Sequence, residues 1–225
     1  MSLPVTKSLY FSTGSFTGTT FGGLLEIAPP NTNTTWGWIV GVNNPPLFCE
    51  MNWNVEVART STQWQATPTQ SIPNQAPAGA AGGNGWIAGP YTGEFVGGAW
   101  QITQSVKATT SANGQDGFLV YRIWTCPTGS GENASLVTSS FISSSGVTNL
   151  TTTTVQLTTS VNLPGLNLRN EYLFFQTYWG LTGAATTGNN NDINFVFGST
   201  SGSIMTTGFV TSQARMVTWE QDDLG

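Results

Sequence analysis

Met51-Asn-Trp-Asn-Val-Glu-Val57 sets Met51, Trp53, Val55 and Val57 at alternate positions, with Asn52, Asn54 and Glu56 between them. A period of two is what a strand shows when one face meets a core and the other meets water. Trp100-Gln-Ile-Thr-Gln-Ser-Val106 nearly repeats the pattern. Phe118-Leu-Val-Tyr-Arg-Ile-Trp124, entered through the turn at Gln115-Asp-Gly117, is apolar on both faces except at Arg122. Further compact runs fall at Trp36–Val40, Leu136–Ile142, Thr151–Thr159, Glu171–Trp179, Asp192–Phe197 and Ala214–Trp219, separated by Gly, Pro and Asn. Thr and the aromatic residues are the strand formers throughout. No window carries an i, i+3, i+4, i+7 apolar stripe with a cap, so the expected class is all-β: an antiparallel sandwich or jelly roll of about nine or ten strands.

The 225 residues suit one large β domain. The expected organisation is an extended arm over residues 1–25 and a single sandwich over 26–225. Ile72–Pro90, dense in Pro, Gly and Ala and without periodicity, is expected as a long loop inside that domain. Phe11, Phe16 and Phe21 punctuate the arm among Ser, Thr and Gly, as in a segment that docks on a partner chain.

Composition excludes several functions. Charged residues are 8% of the chain, with six Lys plus Arg against eleven Asp plus Glu and a net charge of −5. Six scattered cations make no basic stripe for DNA or RNA. There is no histidine, so no Ser-His-Asp or Cys-His triad and no His-ligated metal site is composed from this chain. Two cysteines do not supply a zinc or iron–sulfur site alone. No cofactor and no metal are expected. No apolar run is long enough to cross a membrane as a helix.

Met1-Ser-Leu-Pro-Val-Thr-Lys7 leads into no apolar signal segment, so production in a cytosol is expected. Cys49 and Cys126 are then expected as reduced thiols packed like small hydrophobes, with a disulfide left open. A surface rich in Thr, Ser, Asn and Gly but lacking an export signal fits a virion component, folded in the host and working outside it.

Candidate sites divide by chemistry. Glu50, Glu56, Glu94, Asp116, Glu132, Glu171 and Asp192 are isolated acids, and nothing pairs two of them as a glycosidase requires. Asn189-Asn-Asn-Asp192 has oxygen donors suited to calcium but reads more simply as a turn. The Asn-x-Ser/Thr triplets at Asn33, Asn133 and Asn149 follow from Ser and Thr abundance. Nine tryptophans exceed what one core of this size needs. Trp53, Trp100, Trp124 and Trp179 are expected in the core, and Trp64 and Trp86 at an interface with protein rather than sugar. Arg122, inside an apolar strand, must snorkel, stack or pair, with Glu171 or Asp116 as partners for an intersubunit salt bridge. Thr151–Thr154 would form an exposed ladder of weakly specified register that pairs readily with another chain. The expected contact residues are therefore Phe11, Phe16, Phe21, Trp64, Trp86 and Arg122.

Gly114-Gln-Asp-Gly-Phe-Leu-Val-Tyr-Arg-Ile-Trp124 and Asn170-Glu-Tyr-Leu-Phe-Phe-Gln-Thr-Tyr-Trp179, with Asn149-Leu-Thr-Thr-Thr-Thr154 between them, resemble the β-sandwich structural proteins of tailed phages and prophages. The resemblance covers roughly the second half of the chain and transfers no catalytic residue. It implies a virion protein: a head decoration (cement) protein that binds the major capsid protein and copies of itself as a homotrimer. The alternative is a tail-associated module that binds a receptor or glycan.

Overall fold

The computed structural model describes residues 3–15, 22–25, 34–38, 48–50, 85–108, 115–138, 142–181, 193–197 and 202–211. Val, Ile, Thr and aromatic residues in short runs give strands, and no helix occurs among the described residues. The strands are β1 (Val5–Ser15), β2 (Gly22–Leu25), β3 (Thr34–Trp38), β4 (Phe48–Glu50), β5 (Trp86–Phe95), β6 (Gly98–Ala108) and β7 (Gln115–Cys126). They continue with β8 (Ser135–Leu136), β9 (Ile142–Ser143), β10 (Val147–Leu150), β11 (Val155–Leu163), β12 (Leu166–Leu181), β13 (Ile193–Phe197) and β14 (Gly202–Thr211).

The all-β expectation holds. The observed form is one hydrogen-bonded sheet in the order β10-β7-β12-β5-β2-β1-β14-β6-β13-β3, with β11 beside β6, β4 beside β12, and β8 and β9 beside β7. Every pairing is antiparallel except the short β2–β5 contact. The sheet curls back on itself. Gln104 Nε2 on β6 donates to Thr177 Oγ1 on β12 at 3.2 Å, although those strands are not neighbours in the sheet. The side chains facing inward from β5, β6, β7, β11, β12 and β14 make one core, from Trp86 and Phe175 to Ile102 and Ile204.

β14 makes the curl possible. Its first half lies between β1 and β6, and its end pairs with β5 from Phe209 to Thr211. At this crossing Gly93 has φ +153°, and a Cβ there would collide with the Val210 carbonyl. Only a residue without a side chain allows so close an approach. The β5–β6 turn is tied to β14 by a relay: Trp100 Nε1 donates to Thr207 Oγ1 at 3.2 Å, and Thr207 Oγ1 donates to the Val96 carbonyl. Val96 N–H closes it on the Gly208 carbonyl at 2.9 Å. β12 bends at a register shift where Asn170 adopts φ +60°, a left-handed conformation that Asn tolerates.

Several expectations change. Residues 5–15 are extended, but they form a strand in the chain's own sheet instead of an arm laid on a partner, because Leu9 and Phe11 find a core there. Trp86–Pro90, expected in a loop, opens β5. Leu136–Ile142 is not one strand: β8 ends at Leu136 and β9 begins at Ile142. Thr151–Thr154 is a bend, with Thr151 Oγ1 accepting from Thr153 N–H and the Thr151 carbonyl accepting from Ala108 N–H, so the ladder starts only at Val155. Met51–Val57, Trp64, most of Ile72–Pro90 and Ala214–Trp219 lie outside the described residues.

Candidate docking face

The ladders place two rows of outward side chains across four strands. Ser160 of β11 opposes Gln101 of β6, Gln101 opposes Met205 of β14, and Met205 opposes Ser8 of β1. The next row runs Thr158, Thr103, Ser203 and Tyr10. Directly opposed residues of antiparallel neighbours share a face. Ser160, Gln101, Met205 and Thr158 are exposed and the other four are half-buried. Thr158 and Thr103 share a hydroxyl hydrogen bond of 3.2 Å. The face is broad, holds no charge in these rows, and has one half-exposed apolar residue, Met205, at 48%. Its chemistry is that of hydroxyls and amides able to donate and accept.

Three of the expected contact residues, Phe11, Trp86 and Arg122, lie elsewhere. Phe11 and Trp86 have no accessible area, and their rings pack edge to face at 4.9 Å. Phe11 also meets Phe175 at 5.5 Å, and Phe175 meets Tyr121 at 5.6 Å. Both are thus corrected from contact residues to core residues: a ring wholly inside the fold has no surface to present. Phe16, Phe21 and Trp64 lie outside the described residues. Trp100, Trp124 and Trp179 are buried, as expected, and Trp53 lies outside the described residues.

Arg122 is 7% exposed on β7, opposite Gln176 of β12. It shares that second, non-core face of the sheet with Val120, Tyr178, Trp124 and Phe174. Burial pulls its pKa down, and the nearby Tyr178 phenol acts in the opposite sense. A guanidinium enclosed this way does not reach across a subunit boundary. Glu171, its expected partner, instead accepts the Arg169 N–H on Oε2 at 3.1 Å. Gln176 Oε1 accepts from Trp124 Nε1 at 2.8 Å, which satisfies both groups away from water.

Cys49 is opposite Trp179 and Cys126 is opposite Tyr172, on the two edges of β12. Seven residue steps along β12 between those rungs separate the two cysteines' backbones by roughly 23 Å, far beyond disulfide reach. Cys126 is buried and free, and burial, reinforced by Glu171, pushes its thiol up to about 12.

Among the described residues, no group of His, Cys, Asp and Glu converges as a metal site would require, and Asn189–Asp192 lies outside them. A shallow open depression of about 180 Å³ is lined by Gly93, Glu94, Asn167, Val210 and Thr211. It holds one carboxylate, where a glycosidase needs two. No helix among the described residues is long and apolar enough to cross a membrane.

No protein-family model matches the sequence. The high affinity immunoglobulin alpha and immunoglobulin mu Fc receptor of Mus musculus is 34% identical over 104 residues, which is 43% of this chain and 19% of the receptor. Among solved structures, a CocE/NonD family hydrolase from Staphylococcus aureus is similar at TM-score 0.51 and 9% identity, over 92% of this chain and 37% of the hydrolase. An aminopeptidase from a marine sediment archaeon, Thaumarchaeota archaeon, is similar at TM-score 0.50 and 11% identity, also over 92% of this chain and 37% of the enzyme. The chain thus spans little more than a third of those enzymes and a fifth of the receptor, and the structural likeness is one of fold.

Proposed function

We propose that this chain is a non-catalytic structural protein of a virion, a head decoration protein of the tailed-phage type that binds the outer surface of the major capsid shell as an oligomer. The observation that carries the reading is the uncharged face of Ser160, Gln101, Met205 and Ser8 beside Thr158, Thr103, Ser203 and Tyr10. A β surface of hydroxyls and amides offers many hydrogen bonds, and repetition over a shell turns weak contacts into firm attachment. The enzymes of similar fold act as hydrolases by name, but a histidine-dependent triad is not available within this chain.

The test is co-sedimentation of the purified chain with heads of the particle encoded by the same genome, after removal of loosely attached proteins. Saturable binding at a fixed ratio to the major capsid protein is expected. Because the face is uncharged, the affinity should change less than about twofold between about 0.05 and 0.5 M salt. Failure to sediment with heads, binding to host polysaccharide on a glycan array, or turnover of ester or peptide substrates overturns the reading.

A further inference from the structure

Among the described residues β11 is an edge of the sheet, and its sequence is complementary to itself. Val155-Gln-Leu-Thr-Thr-Ser-Val-Asn-Leu163 pairs with β6 over nine consecutive residues without a register shift. Among the described residues no second strand forms a ladder with it; β9 approaches it without pairing. Natural edge strands are blunted by Lys, Pro, bulges or brevity. β11 has none of these: it is nine residues long, and no Asp, Glu, Lys or Arg occurs anywhere from Asn133 to Leu168.

The alternation shows what would fit the edge. Gln156, Thr158, Ser160 and Asn162 point to solvent, while Leu157, Thr159 and Leu163 are buried and Val155 and Val161 half-buried. Turn the strand about a two-fold axis through Thr159 and lay it antiparallel on itself. Gln156 then meets Asn162 and Thr158 meets Ser160 on the outer face. On the inner face Val155 meets Leu163, Leu157 meets Val161, and Thr159 meets its own copy. Amide faces amide, hydroxyl faces hydroxyl and aliphatic faces aliphatic at every rung, which are the cross-strand pairs that stabilise a ladder.

We infer that β11 pairs antiparallel with β11 of a second copy of this chain, in register about Thr159, to form a continuous sheet across a two-fold dimer. The inference names the self-association on which the assembly role proposed above rests. It commits to a two-fold contact, in place of the three-fold one expected from the sequence.

Sedimentation velocity on the full chain at about 0.1 mM tests it. The unaltered chain is expected to be a dimer. Thr158→Lys with Ser160→Lys puts like charges directly opposite each other at two rungs and should weaken the dimer by about tenfold or more. Thr158→Lys with Ser160→Glu puts opposite charges at the same rungs and should restore it, which also shows that substitution at these exposed positions leaves the fold intact. A monomeric parent chain, or a double-lysine variant as dimeric as the parent, overturns the edge pairing. So does failure of the Lys/Glu variant to recover when its circular dichroism matches that of the parent. A dimer that does not bind heads supports the pairing and removes the capsid role; a monomer that binds heads does the reverse.

Discussion

The β7–β12 ladder and the β6–β11 ladder are both long and in continuous register, ten rungs and nine, yet they serve opposite ends. In the first, both faces are buried: every residue from Leu173 to Trp179 and from Leu119 to Trp124 is withdrawn from water. In the second, one face feeds the core through Ile102, Val106 and Leu157, and the other shows hydroxyls and amides to solvent. A strand covered twice reads as a near-continuous apolar run, and one covered once reads as alternation. Sequence texture therefore separates the strand that builds the molecule from the strand available to something else.

The difference can be broken from the buried side first. Trp86→Ala removes a ring enclosed by Phe11 and the rest of the core, and should cost about 3–5 kcal/mol in urea denaturation. A loss under about 1 kcal/mol would mean that the region is looser than its burial implies. On the second face, Gln176→Leu leaves the Trp124 N–H enclosed without its acceptor and should cost about 1–3 kcal/mol. The companion change Trp124→Phe in the Gln176→Leu background should recover part of that loss, since no donor is then left stranded.

A smaller effect reads the same burial through pH. The folded Cys126 thiol titrates at about 12, well above an unfolded thiol near 8.5. The unfolded chain therefore loses this proton first. Stability from Cys126 is intact below the unfolded value and declines as pH rises from about 9 toward about 12. Cys126→Ala should flatten the fall of the denaturation midpoint over that window, and an unchanged slope would deny the thiol its buried setting. The parent thiol should also resist alkylation at pH 8 until denaturant is added.

The smallest effect on stability belongs to the exposed face. Gln101→Ala with Thr158→Ala should shift unfolding by no more than about 0.5 kcal/mol. The same pair should lower head binding measurably, because these side chains work outside the fold rather than within it. A stability loss larger than the binding loss would turn the face into ordinary structure.

How far the residues could be read in advance depended on what enclosed them. Trp100–Val106 announced its strand by alternation and Phe118–Trp124 by a compact apolar run entered through a turn, and both signals are local properties of the sequence. β1, β5 and β14 did not. β5 is interrupted by Gly89, Pro90 and Gly93, β14 by Gly208, and β1 by a register shift between Thr6 and Ser8, each of which blurs a period of two. The docking face was half visible: Gln101 and Thr103 stood out as the polar members of an alternating run. Met205, Ser203, Ser8 and Tyr10 join them only through pairings between the two ends of the chain.

Composition and alternation, which need no partner, settled by themselves that this is a β protein without histidine chemistry and with little charge. Folding alone decided which rings are enclosed, that Arg122 faces Gln176 inside the molecule, and that Cys49 and Cys126 lie on opposite edges of β12. The reason is sequence distance. Contacts such as Val5 with Phe209, or Phe11 with Trp86, join segments whose local pattern carries no record of each other, and a side chain's exposure is set by what packs over it.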